Sequence, residues 1–270
     1  MEYSYINLTA QHHTFLQRTG RFLHLVWALG SRDIRARYRR SFLGPLWGIL
    51  QPFFLMIAFT ILNRFINIPS DGIPYAIFSY SVLVPWTFFT AIANGTATCI
   101  INNASILKKI SVAREIFPLT IVLSAGFDLL MSGIVLAMMI LWFQVPVGWS
   151  LLWLPVLITL TAAFGLAIGM GISCFGIFKR DFLLAGSFLI QFGLYITPII
   201  YPLSRVPEGW RWLYVLNPMV GILEGFRSVL AHGQQPDLVL LGLAVPGMAL
   251  VFLIVFPLFR ITSQYFADVL

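Results

Sequence analysis

The chain has 270 residues, of which 59% are hydrophobic and 10% are charged, and its formal net charge is +7. Soluble domains carry about 25% charged residues, so this composition, with a mean hydropathy of +0.88, excludes an ordinary soluble protein and indicates a polytopic helical membrane protein. The basic residues lie at the ends of apolar runs and not on one solvated face, which argues against nucleic-acid binding.

The N-terminal region combines a polar tail with a basic amphipathic segment. Residues 1–20 lack the apolar core and cleavage pattern of a removable signal peptide, and we expect them to be loosely ordered. Residues 21–41 place apolar side chains and arginines on opposite faces, which predicts a helix in the inner headgroup layer. The basic run ends where an uncharged run begins at Phe42, which predicts a cytoplasmic N-terminus.

Six apolar runs of about bilayer length follow, and both termini are predicted to be cytoplasmic. All but four of the 17 basic residues fall on the predicted inner side. The segment 102–118 is too polar to cross and lies inside, whereas 201–237 is the longest outer segment and predicts short re-entrant helices. We therefore expect one all-α transmembrane domain over residues 1–270, with spans at 44–62, 75–101, 119–143, 151–178, 182–200 and 238–259.

Small residues in the fourth span predict close helix packing. Gly165 and Gly169 are four residues apart, a spacing that lets helix backbones approach each other. The two cysteines, Cys99 and Cys174, lie in apolar stretches and are expected to be small buried side chains without a disulfide.

Catalytic and cofactor motifs are missing from the sequence. It contains no phosphate-binding P-loop, no paired carboxylates within a span and no histidine spacing typical of a metal site. These observations predict a transport subunit and not an enzyme, with no metal or cofactor bound by this chain.

Asp128 is the only acidic residue deep in a predicted span. A charge at this depth is costly and is by default a candidate functional residue. The alternative is a structural role, in which Asp128 bonds to a neighbouring helix or pairs with a cytoplasmic basic residue. A proton relay has little support, because no lysine or histidine accompanies Asp128 in the spans.

Aromatic and amide side chains recur at helical spacing on the first and fifth spans. Sugars stack on aromatic rings, and glutamine side chains beside the rings offer hydrogen bonds. Packing against lipid or within the core is the commoner role of such aromatics and stays open. The candidate channel residues are Trp47, Gln51, Phe54, Phe188, Gln191, Phe192 and Tyr195.

The order of several short motifs resembles a known family. They are the basic run and first span from Arg35 to Pro52, then Arg114 to Pro118, Phe178 to Asp181, Thr197 to Tyr201, and Asn217-Pro218. Together they resemble the membrane subunit of ABC exporters for cell-surface polysaccharide, of the O-antigen type, across nearly the whole chain. Capsule and teichoic-acid export permeases are close relatives of that family.

The resemblance implies a homodimer of this chain, docked on two copies of a separate cytoplasmic ATP-binding subunit that holds ATP and Mg²⁺. It implies export of a lipid-linked polysaccharide across the bacterial inner membrane, with 201–237 as an outer gate. A coupling helix would meet the ATPase through Asn103, Ser105, Lys108, Lys109, Arg114 and Glu115. The interface helix would meet the pyrophosphate of the lipid carrier through Arg32, Arg35, Arg39 and Arg40.

Other functions remain as alternatives. A capsule or teichoic-acid exporter would have the same architecture. A proton-coupled secondary transporter would need more intramembrane acids, and a membrane-bound glycosyl or acyl transferase would need a carboxylate or histidine cluster at one face.

Overall fold

A computed structural model describes residues 15–39, 41–108, 113–146 and 148–269. Within these ranges the chain is all-α, as predicted, with no β-strand. The α-helices are α1 Phe15–Arg39, α2 Leu46–Ile66, α3 Tyr75–Asn102, α4 Ala104–Leu107, α5 Ile116–Trp142, α6 Leu154–Gly176, α7 Asp181–Ile196, α8 Glu208–Val215, α9 Pro218–Ala231 and α10 Leu238–Val269. Short 3-10 helices cover Trp149–Trp153 and Leu203–Arg205.

Five helical segments in the described ranges are long and apolar enough to cross a membrane, which makes the chain a multi-pass membrane protein. They are Leu46–Ile66, Tyr75–Asn102, Ile116–Trp142, Trp149–Gly176 and Leu238–Ser263. The sixth, α7, is apolar but has only 16 residues. It ends before the predicted limit because Pro198 disfavours helical geometry at Thr197, which is extended. The count of six spans therefore stays a prediction.

Two helices, α1 and α10, extend furthest beyond the predicted ranges. Helix α1 begins before residue 21 and continues through Gly30 without a break. A Cβ atom at Gly30 would lie 2.6 Å from Leu123 Cδ2, so the glycine allows α1 to approach α5 closely. Helix α10 continues from 259 to Val269, because no glycine or proline follows Arg260 to end it.

Helix α3 is the centre of the bundle. In its most apolar window 78% of the residues are buried, compared with 11–28% for the other candidate spans. Helices α2, α5, α6, α7 and α9 all pack against α3. Gly165 and Gly169 of α6 face the α3 carbonyls of Phe89 and Ala93, which confirms the close packing predicted from the small residues.

Substitution of Gly169 by alanine tests the contact between α3 and α6. The new Cβ atom would lie 2.6 Å from the carbonyl oxygen of Ala93, so we expect a loss of about 1–3 kcal/mol in the free energy of unfolding. Unfolding can be followed with a thiol-reactive dye, because Cys99 and Cys174 are both buried and become reactive only when the bundle opens.

Gly171→Ala is the matched control. A Cβ atom there meets Val255 at an ordinary 3.6 Å, and both substitutions gain the same helix propensity. Equal stability of the two variants would show that α3 and α6 are not packed this closely.

Candidate functional site

A groove with polar walls, here called the polar groove, lies between α2 and α7 along one face of α3. Its volume is 570 Å³. It brings together three of the predicted channel residues, Gln51 from α2 and Gln191 and Tyr195 from α7. Apolar side chains complete it, and its other polar side chains come from α3 and α7: Thr87, Thr90, Asn94 and Ser187.

The remaining predicted channel residues lie beside the polar groove and not in it. Trp47 lines a neighbouring cavity that shares Gln51 with the polar groove. Phe54, Phe188 and Phe192 are exposed on the outer faces of α2 and α7. The rings of Phe188 and Phe192 stack with centroids 6.1 Å apart. The single chain therefore presents these aromatics on a surface next to the polar groove.

The chemistry of the polar groove is hydrogen bonding without a net charge. Its polar groups are amides and hydroxyls, and Ser187 donates a hydrogen bond of 2.7 Å to Asn94 Oδ1, which links α7 to α3. Such groups at bilayer depth need partners in protein or in water. The polar groove therefore suits an aqueous or hydroxyl-rich content and not lipid tails.

Asp128 lies where α1, α2 and α5 meet. Arg37 of α1 donates a hydrogen bond of 2.9 Å to Asp128 Oδ2, and the Tyr38 hydroxyl donates to Asp128 Oδ1. A Cβ atom at Gly48 would lie 3.1 Å from Asp128 Oδ1, so the glycine lets α2 pass over the carboxylate. In the structure Asp128 thus has the paired arrangement that was one of its two sequence-based interpretations.

Burial, together with the hydrogen bond to Asp128, raises the pKa of Tyr38 to about 12, so the phenol stays protonated as a donor at neutral pH. Sequence reasoning missed both Arg37 and Tyr38 as partners of Asp128. Arg37 is one of five arginines between Arg32 and Arg40, and the basic pattern does not distinguish it from the others. For Tyr38, its position on the apolar side of α1 was the only sequence signal that it contacts the spans.

The predicted coupling segment connects to α1 and α10. Arg32 donates to Asn103 Oδ1 at 3.2 Å and also pairs with Asp33. Arg260 of α10 pairs with Glu115 Oε1 at 3.1 Å.

The other predicted residues of this region are more accessible. Ser105, Lys108, Arg35 and Arg39 are exposed and Arg114 is half-buried, whereas Lys109 and Arg40 lie outside the described residues.

The segment after α7 is held by a buried arginine that the sequence analysis did not select. Arg227 of α9 is 1% exposed and donates to the carbonyls of Pro198 and Ile199 at 2.9 and 3.2 Å. It also pairs with Glu224 and lies 4.2 Å above the ring of Phe78. The guanidinium therefore supplies donors to two buried carbonyls of the non-helical segment that follows α7.

Two of the short sequence motifs meet at the same place. Asn217 caps α9 by accepting a hydrogen bond from the Met219 amide at 3.0 Å. Its side-chain amide donates to Thr197 Oγ1 at 3.2 Å. The motifs that begin at Thr197 and Asn217 thus form one junction between α7 and α9.

The chain is similar to known membrane transport proteins. The model of the ABC-2 type transporter family matches residues 24–231. A protein of Myxococcus xanthus named O-antigen export system permease protein RfbA is 29% identical over 232 residues, which cover 84% of this chain and 85% of the relative.

Two further relatives match over similar lengths. A Klebsiella pneumoniae protein, also named O-antigen export system permease protein RfbA, is 26% identical over 79% of this chain and 83% of its own length. The polysialic acid transport protein KpsM of Escherichia coli is 27% identical over 77% of this chain and 81% of its own length. The range that the family model matches contains the polar groove, Asp128 and all of α9.

Removal of Arg37 tests the ion pair with Asp128. Arg37→Ala leaves the carboxylate with the Tyr38 hydroxyl alone, so we expect a loss of about 1–3 kcal/mol in unfolding free energy. The loss is smaller than for a fully buried pair because the Arg37 side chain is 48% exposed. The thiol-dye assay measures it.

Arg39→Ala, an exposed neighbour, is the control and should change stability by less than about 0.5 kcal/mol. The double variant Arg37→Ala/Asp128→Ala should lose less than the sum of the single losses, because the two side chains interact. Strict additivity would contradict the pairing.

Removal of Arg227 tests the junction between α7 and α9. Arg227→Met leaves Glu224 with only the Leu203 amide as a donor and removes the guanidinium donors from two carbonyls, so we expect a loss of about 3–5 kcal/mol in the free energy of unfolding. Arg205→Met, at an exposed position of the same segment, is the control. Similar unfolding midpoints for the two variants would contradict the anchoring role of Arg227.

Proposed function

This chain belongs to the ABC-2 type transporter family, and we propose that it is the membrane permease subunit of an ATP-driven exporter of lipid-linked cell-surface polysaccharide. The O-antigen type is the primary assignment, since proteins named as O-antigen export permeases match over most of the chain. The membrane is the bacterial inner membrane, with both termini on the cytoplasmic side.

The observation that carries the proposal is the polar groove at bilayer depth. Its amides and hydroxyls can exchange hydrogen bonds with sugar hydroxyls, and the exposed rings of Trp47, Phe54, Phe188 and Phe192 lie next to it. A polysaccharide needs both kinds of surface, because its hydroxyls must be hydrogen-bonded and its C–H faces pack on aromatic rings.

A second copy of the chain would close the polar groove. Helices α2 and α7 both pack on α3 but leave the groove open between them, and their outer faces are largely exposed. Two copies that face each other through α2 and α7 would surround a path lined by the predicted channel residues. In this arrangement Phe54, Phe188 and Phe192 face the second copy and not lipid.

The motion of a separate ATP-binding subunit would enter through residues 103–115. Ser105 and Lys108 are exposed there and available for contact. Asn103 and Glu115 are bonded to Arg32 of α1 and Arg260 of α10, so displacement of this segment would be transmitted to both helices. ATP and Mg²⁺ would be held by the partner subunit.

The exposed arginines of α1 are the candidate contacts for the lipid carrier. Arg35 and Arg39 are exposed and can meet a pyrophosphate, whereas Arg32 is already engaged by Asp33 and Asn103. Asp128 is bonded to Arg37 and Tyr38, an arrangement that favours an anchoring role over the free carboxylate of a proton-coupled transporter.

A capsule exporter is the second candidate, because a relative named polysialic acid transport protein also matches over most of the chain. Both candidates would use a transport path with the same chemistry, and they differ in the polymer that is carried.

Substitution in the polar groove tests the export function. Gln191→Trp would fill the groove with a large ring, so we expect loss of surface polysaccharide and accumulation of the lipid-linked polymer inside the cell. Leu189→Trp places the same ring on an exposed position of α7 outside the groove and should leave export unchanged. Surface polymer on intact cells and total polymer in lysates are measured with the same antibody.

Purified chain alone should not hydrolyse ATP, whereas the complex with its ATP-binding partner should. Export that continues in Gln191→Trp at the level of Leu189→Trp, or ATP turnover without a partner, would contradict the proposal.

A further inference from the structure

A second open space, here called the apolar groove, lies between α5 and α6 against another face of α3. Its volume is 600 Å³. Its walls come from α3, α5, the start of the Trp149–Gly176 segment and α9, and its lining residues are all aliphatic, aromatic, glycine or proline. A water molecule in it would find no side-chain hydrogen-bond partner among these residues, so the groove does not hold ordered water.

The apolar groove is continuous with the membrane-facing surface of the bundle. Helices α5 and α6 make few contacts with each other, and the space between them opens sideways. Leu130, Ile134 and Leu141 line the opening and are 66%, 53% and 76% exposed. Both helices are candidate spans, so the medium at the opening is lipid hydrocarbon.

The length of the apolar groove matches one leaflet. Its wall on α5 runs from Leu129 to Leu141, which is about 18 Å along a helix. Half of a bilayer core is about 15 Å. This wall lies in the half of α5 that is nearest the turn to α6. The predicted topology places that turn on the outer side of the membrane.

We propose that the apolar groove binds one acyl chain of a bilayer phospholipid from the outer leaflet. The bound chain contacts Phe226 and Leu230 of α9, which form the inner wall of the groove and lie beside Arg227. The bound acyl chain thereby supports α9, whose Arg227 holds the segment after α7. The proposal requires that α5 and α6 cross the membrane, and it does not depend on the exporter function.

Photolabelling locates the chain directly. The full-length protein is placed in vesicles of phosphatidylethanolamine and phosphatidylglycerol that carry a diazirine in one acyl chain, and the adducts are mapped by mass spectrometry. Phe226 and Leu230 are only 3% and 6% exposed and line the inner wall of the groove, so a lipid chain can contact them only from inside the groove. We expect adducts at these two residues as well as at exposed Leu130 and Ile134.

A substitution in the groove provides the specific test. A Cβ atom at Gly133 meets nothing within 4 Å, so Gly133→Leu places a side chain in the groove and should abolish the adducts at Phe226 and Leu230. Gly126→Leu is the matched control, because Gly126 is on the same helix, is equally open and does not line the groove. Adducts at exposed positions should persist in both variants.

Three outcomes would overturn the proposal. The first is the absence of adducts at Phe226 and Leu230 in the wild-type protein. This result does not depend on whether any variant folds. The second is labelling of these residues by a diazirine-bearing isoprenoid phosphate and not by the phospholipid, which would identify the carrier lipid as the occupant. The third is a cross-link between two copies of the chain at these residues in place of a lipid adduct.

Discussion

Polar groups at bilayer depth must find partners within the protein or in water, and this constraint organises the whole structure. Two arginines of the helices α1 and α9 satisfy it internally. Arg37 of α1 pairs with Asp128 of α5, whereas Arg227 of α9 pairs with Glu224 of its own helix and donates to the carbonyls of Pro198 and Ile199 after α7. Because each charge would be costly alone, these contacts fix where α1 and α9 lie against the rest of the bundle.

The same constraint gives the two grooves different contents. In the polar groove between α2 and α7 the hydroxyls of Thr87, Thr90 and Ser187 are bonded within the chain, whereas Gln51, Gln191 and Tyr195 are exposed, so these three need water, sugar or a second copy of the protein. The apolar groove between α5 and α6 has none, and hydrocarbon fills it at no cost in hydrogen bonds. Helix α3 lies between the two grooves, and α2 also packs on α5 and α6 on α7, so movements on one side can reach the other through α3 or through these contacts.

Much of the fold could be predicted because it depends on local patterns. Apolar runs give the helices, and the glycines of α6 predict close helix packing, although they do not identify α3 as the partner. The short motifs at Thr197 and Asn217 were recognised as a pattern, but their mutual hydrogen bond depends on how α7 and α9 meet, which no local pattern encodes.

The partners of the charged side chains were harder to predict for the same reason. Arg37 looks like its neighbours in the basic run until α1 is placed against α5. Arg227 lies in the predicted outer segment 201–237, where no sequence pattern marks it as fully buried or as bonded to the carbonyls of Pro198 and Ile199.

The most direct test of this account is the water accessibility of thiols placed along α7 in the complete membrane complex. The natural Cys99 and Cys174 are buried and should stay unreactive, so single introduced cysteines can be read without background. The account predicts that Ser187→Cys and Tyr195→Cys, in the polar groove, react with a water-soluble thiol reagent while Leu189→Cys, at an exposed position of α7 outside the groove, does not. Equal protection of all three positions would contradict an aqueous path between α2 and α7.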